Sequence, residues 1–288
     1  MIAPGDAASA KVRTPFASRE FAARVASAIV LGAVVLSALV VGGWPFAAIW
    51  LAAGILGAGE WLAMSGAAPS RPLLVTTSAA LAALCVAVQA GAPVLLLLAL
   101  LAFGIAALLL LAANVRSRRN SVAGLVAAVV IVLVPAALRD DPGIGLVGPA
   151  WMFAVVWSTD IVAYFTGRSL GGPKLMPRVS PKKTWSGALG GLAAGTLAGL
   201  ATVLIARGHG YAVLASWPLL GLAAMSAVAS VVSQAGDLFE SALKRVHGVK
   251  DSGRSIPGHG GVMDRLDGFF PVALLVGAAL VAHSLLAS

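Results

Sequence analysis

Nine stretches of mostly apolar residues follow one another along this chain, and they restrict its possible folds more than any other feature. A helix needs about 20 apolar residues to cross roughly 30 Å of hydrocarbon, and each stretch is long enough. Hydrophobic residues make up 59% of the 288 residues and charged residues 11%, too apolar a balance for a soluble core to bury. The sequence therefore predicts an all-α polytopic membrane protein with about nine transmembrane helices. The predicted spans lie near 24–43, 45–64, 72–91, 93–113, 121–138, 146–166, 187–206, 212–236 and 268–287.

The basic residues indicate which side of the membrane each loop faces. If the N-terminus is cytoplasmic, nine spans leave 18 of the 20 Lys and Arg residues on the cytoplasmic side and only Arg139 and Arg207 on the other. Cytoplasmic loops carry this excess of positive charge in membrane proteins. We therefore expect a multi-pass protein of the cell inner (plasma) membrane with a cytoplasmic N-terminus.

Three regions follow from the distribution of polar residues. Residues 1–23 read as a cytoplasmic tail rather than a cleaved signal peptide, 24–145 as a transmembrane scaffold and 146–288 as the catalytic region. The only acid in the first five spans is Glu60, which we interpret as an interfacial or packing residue. The single cysteine, Cys85, has no partner for a disulfide and is interpreted as a packing residue.

Most of the chemistry is concentrated in one polar island, Ser241–Asp267. It holds five of the basic residues, three of the eleven acids, two of the four histidines and five glycines. Where the eighth predicted span leads into the island, Asp237, Glu240, Ser241 and Lys244 share one face of a helix. Carboxylates from two helix ends, Asp237 and Asp264, are suited to share Mg²⁺, which prefers a few carboxylates together with phosphate oxygens. The alternative for Glu240 is a solvated helix end with an i, i+4 pair to Lys244.

Two further segments carry candidate binding groups. The basic loop 167–186 contains Ser180, Lys182, Lys183 and Thr184 just before the seventh span, a combination that indicates phosphate binding. Its alternatives are a topology signal or an anionic-lipid contact. Asp160 in the sixth span is costly in a membrane unless functional or paired, for example with Arg168. Backbone amides of the glycine-rich part of the island are also expected to wrap phosphates.

Acids for Mg²⁺, lysines and a glycine-rich loop together indicate phosphoryl or nucleotidyl transfer, because such reactions depend on positioning and charge neutralisation. The chain has neither a Ser/His/Asp motif nor a P-loop. A transporter is a second possibility, but transporters place their charges near the middle of the membrane. A CDP-alcohol phosphotransferase would need an acidic helix pattern that is missing here.

Three motifs closely resemble those of the phosphatidate cytidylyltransferase (CDP-diacylglycerol synthase) family. They are D-x-x-A-Y-F-x-G-R from Asp160, S-P-K-K-T-W from Ser180 and the block from Ser241 through P-G-H-G-G-V-x-D-R-L-D to Asp267. The resemblance is strong from about residue 150 onward. A CTP-dependent polyprenol or phytol kinase would share the nucleotide chemistry, but the complete block ending at Asp267 argues against it. One departure is Ser186, which stands where the family usually has Glu.

The resemblance implies an enzyme that converts CTP and phosphatidate to CDP-diacylglycerol and pyrophosphate. It implies Mg²⁺ as a cofactor and leaves open whether a second cation binds. The implied partners are membrane lipids and no nucleic acid, and whether the protein forms a homodimer is left open. The metal would be held by Asp237 and Asp264. The catalytic residues would be Asp237, Asp264, Lys244 and Asp267. The substrate-binding residues would be Ser180, Lys182, Lys183, Thr184, Arg245, Lys250, His259, Gly260, Gly261, Arg265 and Asp160.

Overall fold

The computed structural model describes residues 19–211, 216–256 and 260–287, with side chains from residue 29 to 283 within those ranges. The described residues form ten α-helices and one β-hairpin. The elements before the hairpin are α1 Arg19–Val41, α2 Gly43–Ser65, α3 Ser70–Gln89, α4 Val94–Leu111, α5 Val115–Arg139 and α6 Val147–Leu170. The hairpin and the elements after it are β1 Lys174–Met176, β2 Ser180–Thr184, α7 Trp185–Gly208, α8 Leu219–Val246, α9 Met263–Leu266 and α10 Phe269–Ala287.

The predicted all-α polytopic architecture is confirmed. Every predicted span overlaps a long helix, and six helices of the described chain are long and apolar enough to cross a membrane. Shorter apolar stretches, Ile29–Val41 and Phe269–His283, lie in α1 and α10. The eighth helix differs most from its prediction, because it begins after Pro218 and continues ten residues past 236, to Val246.

Two apolar cores hold the bundle together, and α2 and α5 contribute to both. The first core joins helices from both sides of residue 145, and in it the ring of Trp50 stacks on Phe269 with centroids 4.6 Å apart. The second core is built from α2 to α5 and includes fully buried Leu81 and Leu125. Cys85 is buried in this second core, which confirms its interpretation as a packing residue.

Helices α6 and α7 form the most extensive helix pair, and small residues make that contact possible. A β-carbon at Gly191 of α7 would lie 2.8 Å from the carbonyl oxygen of Thr159 on α6. This distance is too short for a side chain, so the glycines of α7 allow the two backbones to approach closely. The small-residue run in the seventh span therefore serves helix packing, as predicted.

The C-terminal ends of α1 and α5 lie together. Nε of Arg139 donates to the carbonyl oxygen of Leu39 at 2.7 Å, and a terminal guanidinium nitrogen donates to that of Val40 at 3.0 Å. In a nine-span topology with the N-terminus inside, both of these helix ends are on the same side of the membrane. The side-chain contacts described next lie at the opposite ends of the helices.

Candidate active site

A β-hairpin and the end of α8 meet through one ion pair. The Nζ atom of Lys183 in β2 contacts the Oδ2 atom of Asp237, and both side chains are about three-quarters buried, at 27% exposure. Successive residues of a strand point to opposite faces, so Lys182 next to it faces away and is exposed. The contact joins two segments that the sequence proposed for the same site although they are more than 50 residues apart.

The Ser180–Thr184 run is a strand, and its last residue caps the N-terminus of α7. The hydroxyl of Thr184 accepts a hydrogen bond from the backbone N–H of Gly187 at 3.2 Å, which makes Thr184 the N-cap of that helix. This contact supplies a partner for one of the helix's free N-terminal amides. Thr184 is buried, and its hydroxyl also lies 3.0 Å from that of Ser186. Ser186 in turn donates to the carbonyl oxygen of Gly171, so it fastens the base of the hairpin.

Three acids from three elements lie near one another beside Lys183. Asp160 on α6 is within electrostatic range of Asp237, and Asp267 at the end of α9 is within range of both. Burial, followed by the negative charges of Asp237 and Asp160, raises the pKa of Asp267 to about 7. The carboxyl keeps one local donor, the backbone N–H of Gly268 at 2.8 Å. The described contacts include no ion pair between Arg168 and Asp160, and Arg168 instead donates to the hydroxyl of Tyr164 at 2.9 Å.

The end of α8 presents the polar face that the sequence predicted. The hydroxyl of Ser241 lies 3.4 Å from Oδ1 of Asp237, and Nζ of Lys244 lies 3.1 Å from Oε1 of Glu240. The i, i+4 pair of Glu240 and Lys244 is therefore confirmed. Glu240 is not solvated, however, because only 7% of it is exposed.

Lys244 also connects α8 to the polar island. Its Nζ atom lies 2.6 Å from Oδ1 of Asp264, and both side chains are nearly buried. The other carboxylate oxygen of Asp264 accepts from the backbone N–H groups of Ser252 at 3.0 Å and Gly261 at 2.9 Å. Burial raises the pKa of Asp264, but the hydrogen bonds from Lys244 and the two amides outweigh it, so the pKa lies below its ordinary value.

A second carboxylate, Glu60, reaches the island from α2. Its Oε1 accepts from the backbone N–H of Val262 at 2.8 Å, while Oε2 accepts from that of Met263 at 2.9 Å and from the hydroxyl of Ser252 at 3.0 Å. The sequence indicated an interfacial or packing acid. The structure shows that Glu60 also accepts three hydrogen bonds from the island. It was conspicuous as the only acid of the first five spans, but nothing in the sequence pointed to partners about 200 residues away.

Four backbone amides in or just after the glycine-rich part of the island, 250–253 and 256–261, donate to carboxylates. The N–H groups of Ser252 and Gly261 bind Asp264, and those of Val262 and Met263 bind Glu60. Phosphate binding by the amides of this segment stays a prediction. The main chain is also tied across the loop by the N–H of Ile256, which donates to the carbonyl oxygen of Gly260 at 2.9 Å.

The remaining predicted residues are spread around this centre. Arg245, Lys250 and Arg265 are exposed, whereas Gly261 is buried. Gly260 has a φ of 88°, a left-handed conformation that favours glycine. His259 lies outside the described residues. The proposed metal residues Asp237 and Asp264 each contact a lysine, and the described side chains include no ready-made group of three His, Cys, Asp or Glu ligands.

The chain is similar in sequence to known proteins. A relative from Brucella suis, named phosphatidate cytidylyltransferase, is 54% identical over 140 residues, which is 48% of each chain. Relatives of the same name from Haemophilus influenzae and Bacillus subtilis are each 42% identical, over 127 residues (44% of this chain, 43% of the relative) and 132 residues (46% of each). The chain thus aligns with about half the length of these relatives. The sequence profile of the cytidylyltransferase family matches residues 22–283, so the chain belongs to the cytidylyltransferase family.

Proposed function

We propose that this protein is a phosphatidate cytidylyltransferase, which forms CDP-diacylglycerol and pyrophosphate from CTP and phosphatidate in phospholipid biosynthesis. The ion pair between Lys183 and Asp237 carries the proposal, because it joins the basic hairpin to the acidic end of α8. Lys244 and Asp264 extend the same polar centre into the island. Membership in the cytidylyltransferase family and the names of the relatives support the same reaction.

The reaction needs no covalent nucleophile from the protein, because the lipid phosphate is already an anion. A phosphate oxygen of phosphatidate attacks the α-phosphorus of CTP in line. The bond from that phosphorus to the oxygen bridging to the β-phosphate breaks, and pyrophosphate leaves with the electron pair. Lys182, Lys183, Lys244 and Arg245 are the cations proposed to bind the phosphates. Their charge offsets the mutual repulsion of two anionic substrates.

The donor set fits a hard divalent cation such as Mg²⁺. Burial, followed by the negative charges of Asp237 and Asp160, raises the pKa of Asp267, and a cation would offset those charges. Asp237 and Asp264 would hold the ion, and Oδ1 of Asp264 has a lone pair to spare because one donor, Lys244, occupies it. When bound, the ion would neutralise charge on the CTP phosphates. Lys183 and Lys244 would then be free to turn from the carboxylates towards phosphate oxygens.

The position of the label in CTP tests the reaction against its nearest rival. Purified protein in detergent is incubated with Mg²⁺ and CTP labelled on either the α- or the γ-phosphorus, with phosphatidate, polyprenol, phytol or no lipid as acceptor. We expect α-label to enter the lipid fraction only with phosphatidate, and EDTA to abolish it. Transfer of γ-label to an alcohol would identify a lipid kinase instead, and no transfer with fresh phosphatidate would contradict the proposal.

We further propose that the site faces the cytoplasm across the inner (plasma) membrane, which is supported by the distribution of basic residues. Single cysteines in a Cys85→Ser background test this orientation. Lys250→Cys should react with a membrane-impermeant maleimide only after cell lysis, and Asp141→Cys should react in intact cells. The reverse pattern would overturn the orientation.

A further inference from the structure

We infer that Glu60 is a positioning residue that holds the backbone at Ser252 and at 261–263 beside Asp264, so that α2 belongs to the catalytic unit. This inference rests on the proposed function. Glu60 lies outside the segments that resemble the family motifs, and it was interpreted from the sequence as a packing acid. Three hydrogen bonds, from Ser252, Val262 and Met263, converge on its carboxylate.

The contact is buried and close enough to exclude side chains. Glu60, Ser252 and Val262 are 7%, 7% and 8% exposed. A β-carbon at Gly253 or at Gly261 would lie 2.7 Å from the Glu60 carboxyl carbon, which is too close for any side chain. The carboxylate therefore packs directly against the backbone at two glycines, and these glycines are required by the contact rather than by flexibility.

Glu60 and Asp264 hold the same residues from two sides. Ser252 donates its backbone N–H to Asp264 and its hydroxyl to Glu60. Gly261 donates its N–H to Asp264 while its α-carbon packs against Glu60. Displacement of Glu60 would therefore move the groups that orient Asp264, and through Asp264 it would disturb Lys244. Glu60 acts on the reaction through the loop and touches no reacting group.

The contact requires a carboxylate. All three partners of Glu60 are donors, and an ionised carboxylate accepts through both oxygens. Glutamine has nearly the same shape, but its amide nitrogen must take the place of one carboxylate oxygen. With the amide oxygen at the Oε2 position, the nitrogen faces the backbone N–H of Val262. Glu60→Gln should thus replace at least one hydrogen bond with a donor–donor contact in a buried place, and an unsatisfied buried donor is costly.

The test uses full-length protein and a readout that does not depend on activity. Trypsin cleaves after Lys and Arg, and Lys250 and Arg254 lie within the held segment. We expect Glu60→Gln to speed cleavage at these two sites by about tenfold or more, since cleavage follows the population of the open loop, and a loss of 1.4 kcal/mol changes that population tenfold. Hydrogen exchange of the Val262 and Met263 amides should accelerate in parallel.

Asp141→Asn is the matched control. Asp141 also accepts two backbone N–H groups, from Gly143 at 2.7 Å and Ile144 at 2.9 Å, but in a loop remote from the site. It should leave both the trypsin sites and turnover unchanged. Glu60→Gln should lower kcat by roughly 10–100-fold and affect KM less, because small displacements of reacting groups are that costly.

Each outcome separates this inference from the proposed function. Unchanged trypsin cleavage in Glu60→Gln would overturn the holding role whatever the activity. Faster cleavage with unchanged kcat would overturn the positioning role. If the wild-type protein transfers no cytidylyl group although its loop is protected, the proposed reaction fails, the positioning role in that reaction fails with it, and the structural contact stands.

Ser252→Ala keeps the inference testable if Glu60→Gln does not fold. It removes the hydroxyl contact with Glu60 and leaves the two amide contacts, so its effects on cleavage and kcat should be in the same direction but smaller. In the double variant the two changes should be less than additive, because they remove a shared interaction. Additive effects would show that Ser252 and Glu60 act separately, and would contradict a holding role that depends on their hydrogen bond.

Discussion

Two carboxylates at the two ends of α9 lie in opposite environments. Asp264 is surrounded by donors from Lys244, Ser252 and Gly261. Asp267, three residues later, is removed from solvent near the negative charges of Asp237 and Asp160, with the backbone N–H of Gly268 as a local donor. The pKa of Asp264 is accordingly lowered and that of Asp267 is raised. The ionised carboxylate of Asp264 thus stabilises the fold, whereas that of Asp267 is unfavourable in it. The charge at Asp267 is one that a bound cation would neutralise.

The largest expected effect is at Asp264, where structure and proposed chemistry coincide. Asp264→Asn keeps the shape of the side chain but leaves Lys244 without its nearest carboxylate and places an amide nitrogen next to a donor. Breaking one side of a nearly buried pair costs about 3 kcal/mol. We expect turnover to fall by roughly 1000-fold or more, since about 4 kcal/mol of transition-state stabilisation corresponds to that factor. We also expect the apparent Tm in detergent to fall.

Tryptophan-monitored thermal unfolding and the label-transfer assay check both effects. The stabilising contribution of a carboxyl with a lowered pKa is complete above its ordinary pKa and is lost as the pH falls through the lowered value. The loss of Tm in Asp264→Asn should therefore be full at pH 7 to 8. An unchanged Tm in Asp264→Asn would show that the donors around Asp264 do not stabilise the fold, and the difference from Asp267 would then disappear.

The next effect separates the two neighbouring lysines of the hairpin. Lys183 contacts Asp237, whereas Lys182 points away from it. Lys183→Met should lower turnover by about 100-fold, because removing one preorganised charged donor from an active site typically costs that much. Lys182→Met should cost about tenfold or less. Equal effects would mean that both lysines turn to the substrate when it binds and that the ion pair does not distinguish them.

The sequence was sufficient for what depends on neighbouring residues. Apolar length predicted the helices, and helical spacing predicted the pair of Glu240 and Lys244. The hairpin was missed because its strands are only three and five residues long and contain Pro181. The partners of Glu60 were not predicted because they are 192 to 203 residues away, and no local pattern records which helix ends meet. The residue types already indicated a shared site for the hairpin lysines and Asp237, but not which lysine contacts which acid.

The smallest expected effect is a gain of stability at Asp267. Its pKa is raised in the folded protein, mainly by burial and then by Asp237 and Asp160. Folding therefore favours the protonated carboxyl, and stability is lost as the pH rises from the ordinary Asp value of about 4 through the folded value of about 7. Asp267→Asn removes this loss. Without divalent cations, the variant should be more stable than the wild type at pH 8, and less different from it near pH 5.

Thermal unfolding in EDTA at both pH values measures this difference. We expect an increase in apparent Tm of about 2–4 °C at pH 8, the shift that corresponds to roughly 1 kcal/mol in a protein of this size. Asp141→Asn again serves as the control, because the acids of the centre do not surround Asp141. The same variant should be less active, since Asp267 belongs to the proposed site. A decrease in Tm at pH 8, as expected for Asp264→Asn, would show that donors outweigh burial and the neighbouring acids at Asp267 too, and would end the contrast between the two carboxylates.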